Sequence, residues 1–147
     1  MAESGALSYA MRLLVKRDLL TAEVRAKLEA KRFDEREIDD AIAWLQEKRL
    51  LDDARAIEAR IESLTSGKSA GGRLKVRARL EAAGAPAETV DASIGSMTDG
   101  GELERMAKLL AEKFKGERDR ARGGRFLLSR GFEQDLVETA LDRWIDA

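Results

Sequence analysis

Apolar residues along this chain recur in one register three times. Counting from Leu28, apolar side chains stand at offsets 5, 10, 14 and 17, on Phe33, Ile38, Ile42 and Leu45. From Leu80 the same offsets fall on Ala85, Val90, Ile94 and Met97, and from Leu127 they fall on Phe132, Val137, Leu141 and Trp144. Offsets 10, 14 and 17 share one face of a helix, whereas offset 5 falls where a turn separates that helix from the one before it. Each register therefore predicts a helical hairpin. The stretch "VRAKLEAKRF" from Val24 and its looser copy "VRARLEAAGA" from Val76 are the same element written twice.

Turn chemistry agrees with this division. Asp34 is placed to cap a helix with Glu37 three residues on, and Phe33 and Ile38 have the spacing of a hydrophobic staple. Phe132 and Val137 repeat that spacing, although Glu133 is a poorer cap than Asp. In the middle unit Gly84 ends one helix and Pro86 opens the next. A further helix precedes each hairpin: Leu7 to Arg17, Asp53 to Leu64 with Asp52 or Asp53 as its cap, and Glu102 to Lys115, set off by Asp99, Gly100 and Gly101. Nine helices in three groups of three result, over residues 1–51, 52–98 and 99–147. Units of about 45 to 50 residues have little core alone. The expected fold is all-α, an elongated array of three tandem three-helix repeats.

Composition changes this picture little but narrows the chemistry. Ala, Leu, Glu, Lys and Arg dominate, with 44 % hydrophobic and 37 % charged residues, as two-faced helices require. The chain has no Cys and no His, which removes disulfides, thiolate nucleophiles, imidazole bases and the usual zinc ligands together. A non-enzymatic protein without cofactor, catalytic residue or metal is expected. No apolar run nears the roughly 20 residues of a membrane span, and "MAESGALSYA" lacks the basic and apolar segments of a signal peptide. These features read as a cytoplasmic protein.

The net charge is -1, but it is unevenly spread. Ser63 to Leu80 holds Lys68, Arg73, Lys75, Arg77 and Arg79 and no acid. Lys113 to Arg130 holds seven bases, including Arg118, Arg120, Arg122 and Arg125, against Glu117 and Asp119. Asp34 to Asp53 and Gly131 to Ala147 are acidic. On a helix, Arg73 and Arg77 align, as do Lys75 and Arg79, while Leu74, Val76 and Leu80 supply most of its apolar face. These nine bases, Lys68 included, are the candidate contacts to a partner or to DNA. A solvated charged face is the plain alternative for each group. Phe114, Phe126, Phe132 and Trp144 fall at core positions, so any DNA contact would be to backbone and salt-sensitive rather than stacked.

Two other motifs have structural readings. "GKS" at Gly67 to Ser69 resembles the end of a phosphate-binding loop, but position 62 is Glu where that loop needs Gly, and no strand precedes it. It reads as a flexible turn. The acidic cluster from Asp34 to Asp40 reads as caps and a solvated flank rather than a metal site.

"YAMRLLVKRDLLTAEVRAKLEAKRF", then "EIDDAIAWLQEKRLLDD" and finally "GRFLLSRGFEQDLVETAL" together resemble the RecX family of recombination regulators over nearly the whole chain. The resemblance implies a protein that binds the RecA recombinase filament on single-stranded DNA and restrains its activities in DNA repair. Single-stranded DNA is expected as a secondary, backbone-mediated partner, and the protein is expected to be a monomer. A helical nucleic-acid-binding or scaffold module unrelated to RecA is the other reading. It would need a basic recognition helix, whereas "EREIDDAIAWLQ" and "EQDLVETALDRW" are acidic.

Overall fold

The computed structural model describes residues 4–147, and residues 1–3 of the first predicted group lie outside them. Among the described residues there are nine α-helices and no strand: α1 (Gly5–Lys16), α2 (Thr21–Ala30), α3 (Glu35–Glu47), α4 (Asp53–Leu64), α5 (Arg73–Ala82), α6 (Ala87–Gly95), α7 (Asp99–Phe114), α8 (Arg120–Ser129) and α9 (Gln134–Asp146). The all-α reading holds. α7 starts earlier than expected: the Thr98 hydroxyl accepts from the Gly101 N–H at 3.0 Å, so Asp99, Gly100 and Gly101 form its first turn instead of a spacer.

The three hairpin turns are built alike. The N–H at offset 5 donates to the carbonyl at the origin in every register: Phe33 to Leu28, Ala85 to Leu80 and Phe132 to Leu127, at 3.3, 3.0 and 3.4 Å. The N–H before it closes a shorter loop, Arg32 to Glu29, Gly84 to Glu81 and Gly131 to Leu128. This pair of bonds is the Schellman ending of a helix, which needs a left-handed residue at offset 4. Arg32, Gly84 and Gly131 supply it, with φ of 63°, 85° and 82°. The residue after the turn then opens the next helix. Asp34 does so with its carboxylate on the Glu37 N–H at 2.8 Å, whereas Glu133 makes no side-chain cap.

A second device joins helices that are not neighbours in sequence. Glu37, in the first turn of α3, accepts from the Ala6 N–H of α1 at 3.0 Å. Asp53, opening α4, accepts from the Thr21 N–H and hydroxyl of α2 at 2.7 and 3.1 Å. Glu102, in the first turn of α7, accepts from the Arg73 N–H of α5 at 2.7 Å. Each carboxylate satisfies an orphan amide and meets the positive end of a helix dipole. The N-termini of alternate helices are thereby pinned together.

Packing divides the chain into two units. One runs to Ala59 and includes Leu80–Val90; the other comprises Arg60–Arg79 and Asp91–Ala147. The first is organised by α1, α2 and α3 around Ala10, Val24, Leu28, Ile38, Ile42 and Leu45, with Phe33 and Trp44 at the margin. The second is organised by α7, α8 and α9 around Met106, Leu110, Leu127, Phe132, Val137 and Leu141. The division passes through α4, α5 and α6.

Gly123 and Gly124 sit inside α8, where each glycine costs about 1 kcal/mol against Ala. Gly123 has a packing reason. A Cβ there would lie 2.8 Å from the Trp144 ring and 3.1 Å from Leu141, so its absence lets α8 and α9 close on each other.

Candidate functional site

The candidate bases of α5 divide between structural and open roles. Arg73 is only 15 % exposed in its side chain. Its guanidinium donates to the Met97 carbonyl at 3.0 Å and to Asp99 at 2.6 Å, and its Nε lies 3.0 Å from a Glu133 carboxylate oxygen. Glu102, fully buried, binds the Arg73 backbone N–H and pairs with Arg105. Burial lowers the Arg105 pKa from its usual value, with the Arg73 charge adding to the effect. Arginine nonetheless stays charged at such a site. Arg73 is therefore a hub tying α5 to α7 and to the α8–α9 turn. Arg77 pairs with Asp91 at 2.7 Å.

The remaining α5 face is open. Leu74 is 53 % exposed, which corrects its expected place on the apolar face. Val76 and Leu80 are the buried pair, and Leu74 and Ala78 instead stand with Arg79 on the solvent side, next to the half-buried Lys75. The reason lies at the start of the helix. The N–H groups of Gly72 and Leu74 donate to Arg130 and Gly131 carbonyls at 2.9 and 3.0 Å, seating the helix on the α8–α9 turn. A Cβ on Gly72 would fall 2.6 Å from the Gly131 oxygen, so only glycine permits this approach. Seated so, α5 turns Leu74 outward. Among the described residues, the Lys75 ammonium and the exposed Arg79 guanidinium have no acidic partner.

Around α8 the bases are mostly engaged. Arg118 donates to the Trp144 carbonyl and to that of Ala147, its guanidinium 5.9 Å from the Trp144 ring centre. Arg120 pairs with Asp142 at 2.7 Å. Arg122 pairs with Glu117 at 3.3 Å and lies over Phe114. Arg125 is exposed and has no such partner among the described residues. Phe114, Phe126 and Trp144 form one cluster, the Phe126 ring edge-on to Phe114 and the Trp144 ring tilted against it, with ring centres 5.8 and 5.5 Å from that of Phe114. Basic side chains cover it, as Arg130 lies 4.8 Å and Lys113 5.7 Å from the Phe126 centre. Lys68 is exposed on the α4–α5 loop.

Several residues of the sequence motifs prove to be joints. In "RLLDD", Arg49 is left-handed at φ 58°, and Asp52 caps α4 through the Arg55 N–H at 3.2 Å while Asp53 reaches α2. Arg55 closes this corner, donating to the Arg49 and Leu50 carbonyls and to Asp18 at 3.0 Å. That bond to Asp18 raises the Arg55 pKa. In the acidic cluster, Asp39 pairs with Arg25 at 2.9 Å. The "GKS" segment is a turn whose Gly67 has φ 73°.

Residues outside the candidate set also assemble basic surface. Lys113, Lys115 and Arg130 converge with Lys68 on a small cavity, and the exposed Arg12 and Lys16 of α1 and Arg17 just after it carry no acid between them. The α1 group was readable as an acid-free run. The convergence on Lys68 was not, because it rests on Arg130 donating to the Lys68 carbonyl at 2.7 Å across 62 residues. No helix among the described residues is long and apolar enough to cross a membrane.

Comparison with known proteins bears on the whole chain. Residues 6–45 match the RecX first three-helix domain. The regulatory protein RecX of Thermus thermophilus is 36 % identical over 143 residues, spanning 96 % of this chain and 91 % of that one. That of Trichlorobacter lovleyi is 32 % identical over 142 residues, spanning 91 % and 92 %. The crystal structure of RecX from Lactobacillus salivarius superposes with a TM-score of 0.82 at 19 % identity, covering 94 % of this chain and 93 % of that one. At that identity the superposition speaks to the fold.

Proposed function

Since the chain belongs to the RecX family of regulatory proteins, we propose that it binds the RecA recombinase filament on single-stranded DNA and inhibits strand exchange and DNA-dependent ATP hydrolysis, without a chemical step of its own. Family membership over nearly the whole chain is the observation that carries this reading. The open bases support it. Lys68, Lys75, Arg79 and Arg125 keep no acidic partner among the described residues, so their charge is available to acidic patches of a protein filament or to DNA phosphates. Leu74 beside Lys75 and Arg79 adds an apolar contact that suits a protein surface better than a phosphate backbone. The protein acts as a monomer in the cytoplasm in this reading, with single-stranded DNA a secondary partner.

The test is RecA-catalysed ATP hydrolysis on single-stranded DNA, titrated with this protein below stoichiometry, with filament co-sedimentation in the same samples. Inhibition together with co-sedimentation is expected; neither would remove RecA as the partner. Reversing Lys75 and Arg79 to Glu is expected to preserve helicity and weaken filament binding about tenfold, or roughly 1.4 kcal/mol. Unchanged affinity would take the α5 face out of the interface. Arg73 and Arg77 are left out of this test because their partners are internal.

A further inference from the structure

The α4–α5 loop, the C-terminal end of α7 and the second half of α8 line a half-open cavity of about 250 Å³. Four cations line it: Lys68 from the loop, Lys113 from α7, and Lys115 and Arg130 from the residues that follow α7 and α8, with Glu112 the one acid of the lining. Phe126 and Leu109 line its apolar part. We propose that this cavity is a binding site for a short phosphate chain, pyrophosphate or the triphosphate of a nucleotide. The proposal does not depend on which partner meets the open bases of α5.

Charge density favours a phosphate chain. Four cations against one carboxylate leave a surplus of three positive charges within a space smaller than the roughly 300–1,000 Å³ of sites for drug-sized ligands. A DNA backbone brings one charge per nucleotide, and an acidic peptide one per side chain. Either would need several bulky units in the cavity to balance it. A terminal phosphate alone carries roughly −1.5 to −2, and each phosphate linked to it adds charge with little volume.

Two of the four cations, Arg130 and Lys113, are also held in place beforehand. The Arg130 guanidinium donates to the carbonyls of Lys68 and Ala70 at 2.7 and 3.2 Å, fixing the loop that carries Lys68. Arg130 and Lys113 both rest on the Phe126 ring. A simpler role, offsetting the negative end of the α7 dipole, accounts for Lys113 and Lys115. The same role accounts equally for Arg130 at the C-terminal end of α8, but not for Lys68, which comes from the α4–α5 loop. A neighbouring cavity of about 320 Å³ shares the Leu109 and Glu112 wall and is lined by Ser66, Gly67 and Lys108. It gives space for a nucleoside attached to the chain.

The experiment is calorimetric titration of the full-length chain with sodium tripolyphosphate at ~0.15 M salt, where loose surface attraction is screened. One saturable site is expected. Lys68→Gln with Lys113→Gln should weaken it about tenfold or more without changing helicity, and Glu112→Gln should strengthen it. Two arms then separate the sources: tighter binding of ATP than of tripolyphosphate assigns the site to a nucleotide, and equal binding assigns it to an inorganic chain. Absence of saturable binding, or equal binding by the double variant, would overturn the proposal. So would displacement of tripolyphosphate, at matched charge, by oligothymidylate lacking a 5′-phosphate or by hexaglutamate peptide, since the cavity would then belong to a DNA or protein surface.

Discussion

Arg73 and Lys75 share the first turn of α5 and lie in the same acid-free run of sequence, yet their surroundings oppose each other. Arg73 is enclosed by Asp99, Glu102, Glu133 and the Met97 carbonyl. Arg73→Ala removes the Asp99, Glu133 and Met97 contacts but leaves Glu102 paired with Arg105, and a loss of about 1–3 kcal/mol is expected, to be read from denaturant unfolding. Lys75→Ala is expected to stay within about 0.5 kcal/mol. A loss for Arg73→Ala no larger than that for Lys75→Ala would contradict the enclosed pair. The sequence makes Arg73 look like any other base of the stripe because its acids lie far along the chain, Asp99 and Glu102 being 26 and 29 residues away. Leu74 misleads for a related reason. Helical spacing assigns it to a face, but the seat of α5 on Gly131 decides which face turns inward.

Elements were more legible than side-chain partners. The triple register located the buried residues of each hairpin, Leu28, Leu80 and Leu127 among them, because core spacing is set by helix geometry alone. The bonds from Glu37, Asp53 and Glu102 to helices two places earlier were invisible. Each carboxylate also reads as an ordinary first-turn acid, and its true partner depends on how helices assemble. The shared turn geometry yields two expectations for thermal or urea unfolding. Arg32→Gly should stabilise by about 0.5–1 kcal/mol, since the left-handed position is one where Gly84 and Gly131 already serve their own hairpins. Leu28→Ala should destabilise by about 2–5 kcal/mol, because the side chain is wholly buried. A stabilising Leu28→Ala or a clearly destabilising Arg32→Gly would show that the turn and core have been misread.

For the whole molecule the informative quantity is the distribution of unpaired charge, not the net of -1. Among the nine candidate bases, internal partners take Arg73, Arg77, Arg118, Arg120 and Arg122, which leaves separate open points at Lys68, Lys75, Arg79 and Arg125. Filament association resting on so few charges should weaken as salt rises from about 50 to 200 mM, and less steeply than for a protein with 6–10 phosphate contacts. Co-sedimentation across that range checks this, and the Lys75→Glu, Arg79→Glu variant should show a flatter dependence. An affinity indifferent to salt would shift the interface to apolar contacts such as Leu74. Charge runs in the sequence exposed the basic stripes, but the subtraction of internally paired bases needed three dimensions.

The seating of α5 on the α8–α9 turn also imposes an order in time. The buried residues of the first core all lie between Ala6 and Leu51, so it can close once that stretch has left the ribosome. The Gly72 and Leu74 amides find their acceptors only at Arg130 and Gly131, which at roughly 5–20 residues per second emerge several seconds later. Throughout that interval a nascent chain carries a closed first core and an α5 whose N-terminal end has nothing to rest on, and it is there that proteases and mispairing have their chance.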